Sequence, residues 1–121
     1  MDFPVSNQFS TCRLSAQNPD LFRTLVQEYS EIVKLAVQQT VSSTDRRVFP
    51  RVRVLARQAG ESDARPQDLI AVHLSALAIL IKTQPQAMAK ACIRHARLLL
   101  VKMVGELAIY YREQMKKGTA H

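Results

Sequence analysis

The side chains able to do chemistry are few and scattered along the chain. His73 lies within Val72-His73-Leu74, His95 follows Arg94, and the two cysteines, Cys12 and Cys92, are far apart with no CxxC spacing around either. A metal site needs ligands gathered at short spacings, such as two histidines one helical turn apart, and that pattern does not occur. A lone histidine on an apolar face is read as a hydrogen-bonded structural residue, so His73 is assigned to the scaffold. There is no Gly-rich phosphate loop, no GxSxG turn, no HExxH and no pair of carboxylates placed to share a proton. The expectation is therefore a non-catalytic protein with no catalytic residue, no metal ligand and no cofactor.

Charge is the more informative signal. The chain has 17 Lys and Arg against 10 Asp and Glu, a formal net charge of +7. Much of the excess falls in two segments that contain no acid: Arg46, Arg47, Arg51, Arg53 and Arg57 in the first, and Lys82, Lys90, Arg94, Arg97 and Lys102 in the second. Such surfaces steer acidic peptides, nucleic acids or other anionic partners toward them. Nucleic acid is the alternative reading, because phosphate contacts require little beyond clustered Arg and Lys. Phe49 is the only aromatic among the arginines, however, so base-stacking platforms are not visible.

These residues are positioned by helices. The chain has 121 residues, 47% hydrophobic, with only three glycines and no sustained two-residue alternation. That describes one all-α folding unit. Residues 1–17 mix Pro, Ser, Asn and Gln and are expected to form a flexible arm, 18–117 the helical domain and 118–121 a short tail. Asn18-Pro19 marks a first helix to about Val41, with Leu21, Leu25, Tyr29, Ile32, Val33 and Ala36 on one stripe. A second, short helix would be capped by Thr44 or Asp45 and end before Gly60, a reading that Pro50 weakens. Pro66 and Asp68 open a third, and a fourth could run from Pro85 to Lys117, about 50 Å at 1.5 Å per residue.

Nothing resembles a secretory signal in the first 18 residues, and the apolar runs Ile70–Ile81 and Leu98–Tyr111 are shorter than the roughly 20 residues a bilayer requires. A cytoplasmic protein without a membrane partner is expected. Leu98–Tyr111 is apolar nearly all round, which calls for cover on more than one face. Either the segment is buried in the monomer, or a second copy packs on it about a two-fold axis, with Gly105 letting the backbones approach. The homodimer is the favoured reading.

Asp68-Leu-Ile-Ala-Val-His73-Leu-Ser-Ala-Leu77, followed by Arg97-Leu-Leu-Leu-Val-Lys-Met-Val-Gly-Glu-Leu-Ala-Ile-Tyr-Tyr-Arg112-Glu113, resembles two related families over roughly residues 20–115. They are the KaiA C-terminal domain and the RsbU N-terminal domain. The resemblance implies a four-helix bundle dimerising through a long C-terminal helix, and a signalling module that docks a segment of a partner ATPase, kinase or switch protein. It implies a scaffold role for His73 and a dimer seam of Leu99, Met103, Leu107 and Tyr110, which Gly105 joins. The partner site is then expected at Arg46, Arg51, Arg94 and Arg97, a positive rim for an acidic segment of a regulatory protein.

Overall fold

The computed structural model describes residues 13–38 and 47–119. Within them the chain is helical, in five segments: α1 (Arg13–Gln17), α2 (Pro19–Gln38), α3 (Phe49–Glu61), α4 (Pro66–Thr83) and α5 (Gln86–Thr119). No strand occurs among the described residues. Helix α5 has 34 residues, about 50 Å at 1.5 Å per residue, and packs against α2, α3 and α4.

Local chemistry explains the boundaries. The Asn18 carboxamide oxygen accepts from the Leu21 amide at 3.2 Å, one of the free donors of the first turn of α2. Pro50 lies in the first turn of α3, where its missing N–H is not used, so it starts the helix rather than breaking it. At the start of α4 the Asp68 carboxylate reaches back to the Arg65 amide at 2.7 Å. It also accepts from the Leu14 amide at 3.3 Å, which ties α1 to the entrance of α4. For this reason residues 13–17 of the expected arm are helical, with Leu14 buried. Gly118 and Thr119, expected in the C-terminal tail, continue α5. Val41, Thr44, Asp45, Arg46 and Cys12 lie outside the described residues.

The second helix does not end before Gly60. It runs through to Glu61, and the reversal falls on Asp63, the one described non-Gly residue with positive φ, at 61°. Amides of Ser62, Asp63 and Ala64 cap the last carbonyls of α3, two of them on Ala59. Gly60 is glycine for a different reason: a Cβ there would stand 2.5 Å from Cδ2 of Tyr110. The absent side chain is the space in which the α5 ring lies.

The core is built on Leu25, Tyr29, Ile32 and Val33 of α2, Val52 and Leu55 of α3, Leu69, Val72 and Leu80 of α4, and Cys92, Leu99, Met103 and Leu107 of α5. On α2 the buried positions follow the expected stripe. On α4, Leu69, Val72, His73, Ala76 and Leu80 are buried, while Ile70 is 42% exposed.

Candidate functional site

Three polar clusters are held inside the chain. In the first, the Tyr29 hydroxyl donates to the Ala96 carbonyl at 3.1 Å and lies 2.7 Å from His73 Nδ1. A phenol has one proton; with it on the carbonyl, the hydroxyl accepts from Nδ1–H, which assigns the neutral tautomer. Burial lowers the His73 pKa and raises that of Tyr29. Tyr29 is fully buried and His73 nearly so, so the pair joins α2, α4 and α5 and presents no face to a substrate.

The second cluster is centred on Asp68, fully buried and within 3.6 Å of the Arg65 guanidinium. Beside it the Tyr111 hydroxyl donates to the Ala64 carbonyl at 2.6 Å, and an Arg13 guanidinium N–H donates to the Asp63 carbonyl at 2.8 Å. Burial first, and then the Asp63 charge, push the Tyr111 phenol up. These contacts fasten the α3–α4 turn to both ends of the chain's helical part.

In the third, Glu106 of α5 is buried between Arg53 Nε at 3.2 Å and Lys102 Nζ at 3.6 Å, and Lys102 also lies 5.3 Å from the centre of the Phe49 ring. An unpaired buried carboxylate is costly, so this pairing fixes α3 against one flank of α5. The Lys102–Glu106 pair is an i, i+4 pair along α5. Cys92 is a free, buried thiol whose pKa burial raises. No group of three or more potential metal ligands occurs among the described residues, and no helix among them is long and apolar enough to cross a membrane.

The expected dimer seam is corrected by these positions. Leu99, Met103 and Leu107 are between 0% and 1% exposed, covered by the chain's own core. Tyr110 is spent on Gly60 and on an edge-to-face contact with Tyr111, ring centres 5.5 Å apart. Of the five seam residues only Gly105 faces outward, with nothing within 4 Å of where its Cβ would be. What α5 does expose is a neighbouring stripe, including Leu98 at 60% and Val101 at 70%.

The expected partner-binding arginines also separate. Arg46 lies outside the described residues. Arg51 is half-buried and paired with Glu28 at 3.4 Å and Glu31 at 3.9 Å, so its charge is largely answered within the chain. Arg94 and Arg97 are exposed and make no ion pair among the described residues; Lys90 behaves in the same way.

Around Arg94 and Arg97 exposed apolar side chains adjoin the basic segment. From Leu69 to Gly105 there is no Asp or Glu, whereas Lys82, Lys90, Arg94, Arg97 and Lys102 are all cationic. That stretch is α4 and the first part of α5, a helical hairpin turned at Gln84-Pro85. Its outward apolar residues are Ile70, Leu74, Ile79, Ile81, Leu98 and Val101, each at least 42% exposed. Comparison with known family models, with curated proteins and with solved structures finds no match to the chain.

Proposed function

We propose that the protein is a non-catalytic interaction module that binds an acidic segment of a regulatory partner on the outer face of the α4–α5 hairpin. The observation that carries this reading is the combination on α4 and α5 of four exposed large apolar side chains, Ile70, Leu74, Ile81 and Val101, with the exposed cations Lys82, Lys90, Arg94 and Arg97, which make no ion pair among the described residues. Exposed apolar area in a patch marks an interaction surface, and a rim of one sign selects the sign of the partner. The resemblance of residues 68–77 and 97–113 to the KaiA and RsbU docking domains agrees with this class of function. In this reading α2 to α5 are a four-helix bundle.

Self-association through α5 belongs to the same proposal, moved off the buried seam. Leu98, Gly105 and Ile109 are spaced i, i+7 and i+11 and share one exposed stripe, where open space over Gly105 permits close approach of a second helix. Light scattering on wild type, Leu98→Asp and Leu99→Asp tests the relocation. A dimer converted to folded monomers by Leu98→Asp agrees with it, whereas Leu99→Asp should unfold the chain. A monomeric wild type removes this part of the proposal.

The partner site is tested by replacing Arg94 and Arg97 with Glu. Affinity for a labelled acidic peptide should fall at least tenfold while the helical circular dichroism is retained. Unchanged affinity would refute the assignment.

A further inference from the structure

We infer that the acidic segment binds as an amphipathic α-helix laid lengthwise on the face formed by Ile70, Leu74 and Ile81 of α4 and Val101 of α5, with Arg94 and Arg97 as its charged rim. This deepens the proposed function and rests on the hairpin being the binding face.

The geometry of α4 supplies the first reason. Ile70, Leu74, Leu77 and Ile81 fall at i, i+4, i+7 and i+11, a single line on a helix. Ile70, Leu74 and Ile81 are 42%, 42% and 52% exposed. The line spans 11 residues, about 16 Å or three helical turns, which matches the apolar stripe of a partner helix of similar length.

The line is matched on α5. Glu106 and Tyr110 contact Arg53 and Gly60, so α3 occupies that flank of α5. Arg97, nine residues before Glu106, is turned about 180° from it. Val101, five residues before Glu106, is turned about 140° from it, so Arg97 and Val101 both face away from α3, and α4 is among the helices that pack on α5. An apolar strip with a cationic edge is the result.

Backbone chemistry decides the conformation of the occupant. The described residues contain no strand, so there is no sheet edge to pair with an extended segment. An extended chain on this face would bury N–H and C=O groups without partners, which is costly. A helix brings those groups already bonded and offers anchors at the spacing of the α4 line.

Charge decides its identity. A second copy seated on the α4 line would set Arg97 against its own like charge, which opposes binding there and leaves self-association to the separate stripe of Leu98, Gly105 and Ile109. Nucleic acid would match the charge but leave the aliphatic surface unused. The exposed large apolar residues are all Val, Ile, Leu or Met, with no ring on which a base could stack. An acidic amphipathic helix satisfies both the apolar line and the rim.

The test uses two fluorescein-labelled synthetic peptides of about 15 residues and identical Leu and Glu composition. One carries Leu at helical spacing flanked by Glu, and the other has the same residues shuffled so that no stripe forms. Fluorescence anisotropy against the full chain at physiological salt should show the striped peptide binding at least tenfold tighter. Val101→Asp and Leu74→Asp should each lower that affinity about tenfold, with circular dichroism confirming that both variants remain folded. Equal binding of the two peptides, lost in the Arg94→Glu/Arg97→Glu variant, would overturn the helical occupant and leave the acidic-partner reading standing. Failure of both peptides to bind would overturn both. Binding to phosphatidylserine vesicles with no binding to either peptide would assign the face to lipid and overturn the inference as well.

Discussion

Replacing Gly60 by Ala should destabilise the protein, although the same change inside an exposed helix ordinarily stabilises it by about 1 kcal/mol. The new Cβ would stand 2.5 Å from Cδ2 and 2.8 Å from Cε2 of Tyr110, about 1 Å inside normal contact for carbon atoms at roughly 3.5–4.0 Å. The ring cannot simply swing away. It packs edge-to-face on Tyr111, whose hydroxyl is held 2.6 Å from the Ala64 carbonyl. Overpacking of this kind costs about 1–3 kcal/mol, and the 2.5 Å approach to a held ring puts this site toward the upper end, so after the propensity gain of about 1 kcal/mol the net loss should be up to about 2 kcal/mol. For a domain of this size that lowers Tm by about 5 °C per kcal/mol. Urea denaturation followed by circular dichroism measures it directly. Gly105→Ala is the control, because nothing lies within 4 Å of its Cβ position, and it should raise the stability of a monomer by up to about 1 kcal/mol. Adding Tyr110→Ala to Gly60→Ala should abolish the penalty in a double-mutant cycle. If both glycine substitutions stabilise equally, the assignment of Gly60 to close helix packing is wrong.

Two further outcomes concern the polar clusters and a third a surface ion pair. Asp68→Ala should cost about 3 kcal/mol in urea denaturation, because it strands the Arg65 and Leu14 amides and the Arg65 guanidinium; Asp68→Asn should cost less. His73 has a lowered pKa in the folded chain, so the unfolded chain takes up the proton first as pH falls. Stability is then complete above the ordinary histidine value of about 6.5 and declines as pH drops below it, which His73→Gln should flatten in a series of melts from pH 8 to 5. Arg51→Ala should change stability by no more than about 0.5 kcal/mol, since its pairs with Glu28 and Glu31 are about half exposed and screened by solvent.

The helical class was legible from the chain because its punctuation is local. Asn18-Pro19, Pro66 with Asp68, and Pro85 act on the backbone amides beside them, and the observed starts of α2, α4 and α5 lie within a residue of those marks. The outward side of α5 was not legible in the same way. Its strongest apolar line, Leu99, Met103 and Leu107, is equally suited to the chain's own core and to a copy; in the structure the core takes it. The stripe left outside is interrupted by Arg94 and Gly105 and so looks weaker in sequence. Gly60 was misread because a glycine near a helix end usually marks the cap, whereas the ring that requires it comes from 50 residues later. The surface at Arg94 and Arg97 depends on how α4 and α5 lie side by side. No spacing within one helix reveals that.

The binding face is tested most directly by competition at physiological salt between two amphipathic peptides that differ only in Glu for Lys at every charged position. The account predicts that the acidic peptide binds the wild-type chain at micromolar strength or better, that the basic peptide does not compete, and that Arg94→Glu/Arg97→Glu reverses the preference. Equal affinity for both peptides, or a preference that the charge reversal leaves unchanged, would contradict it.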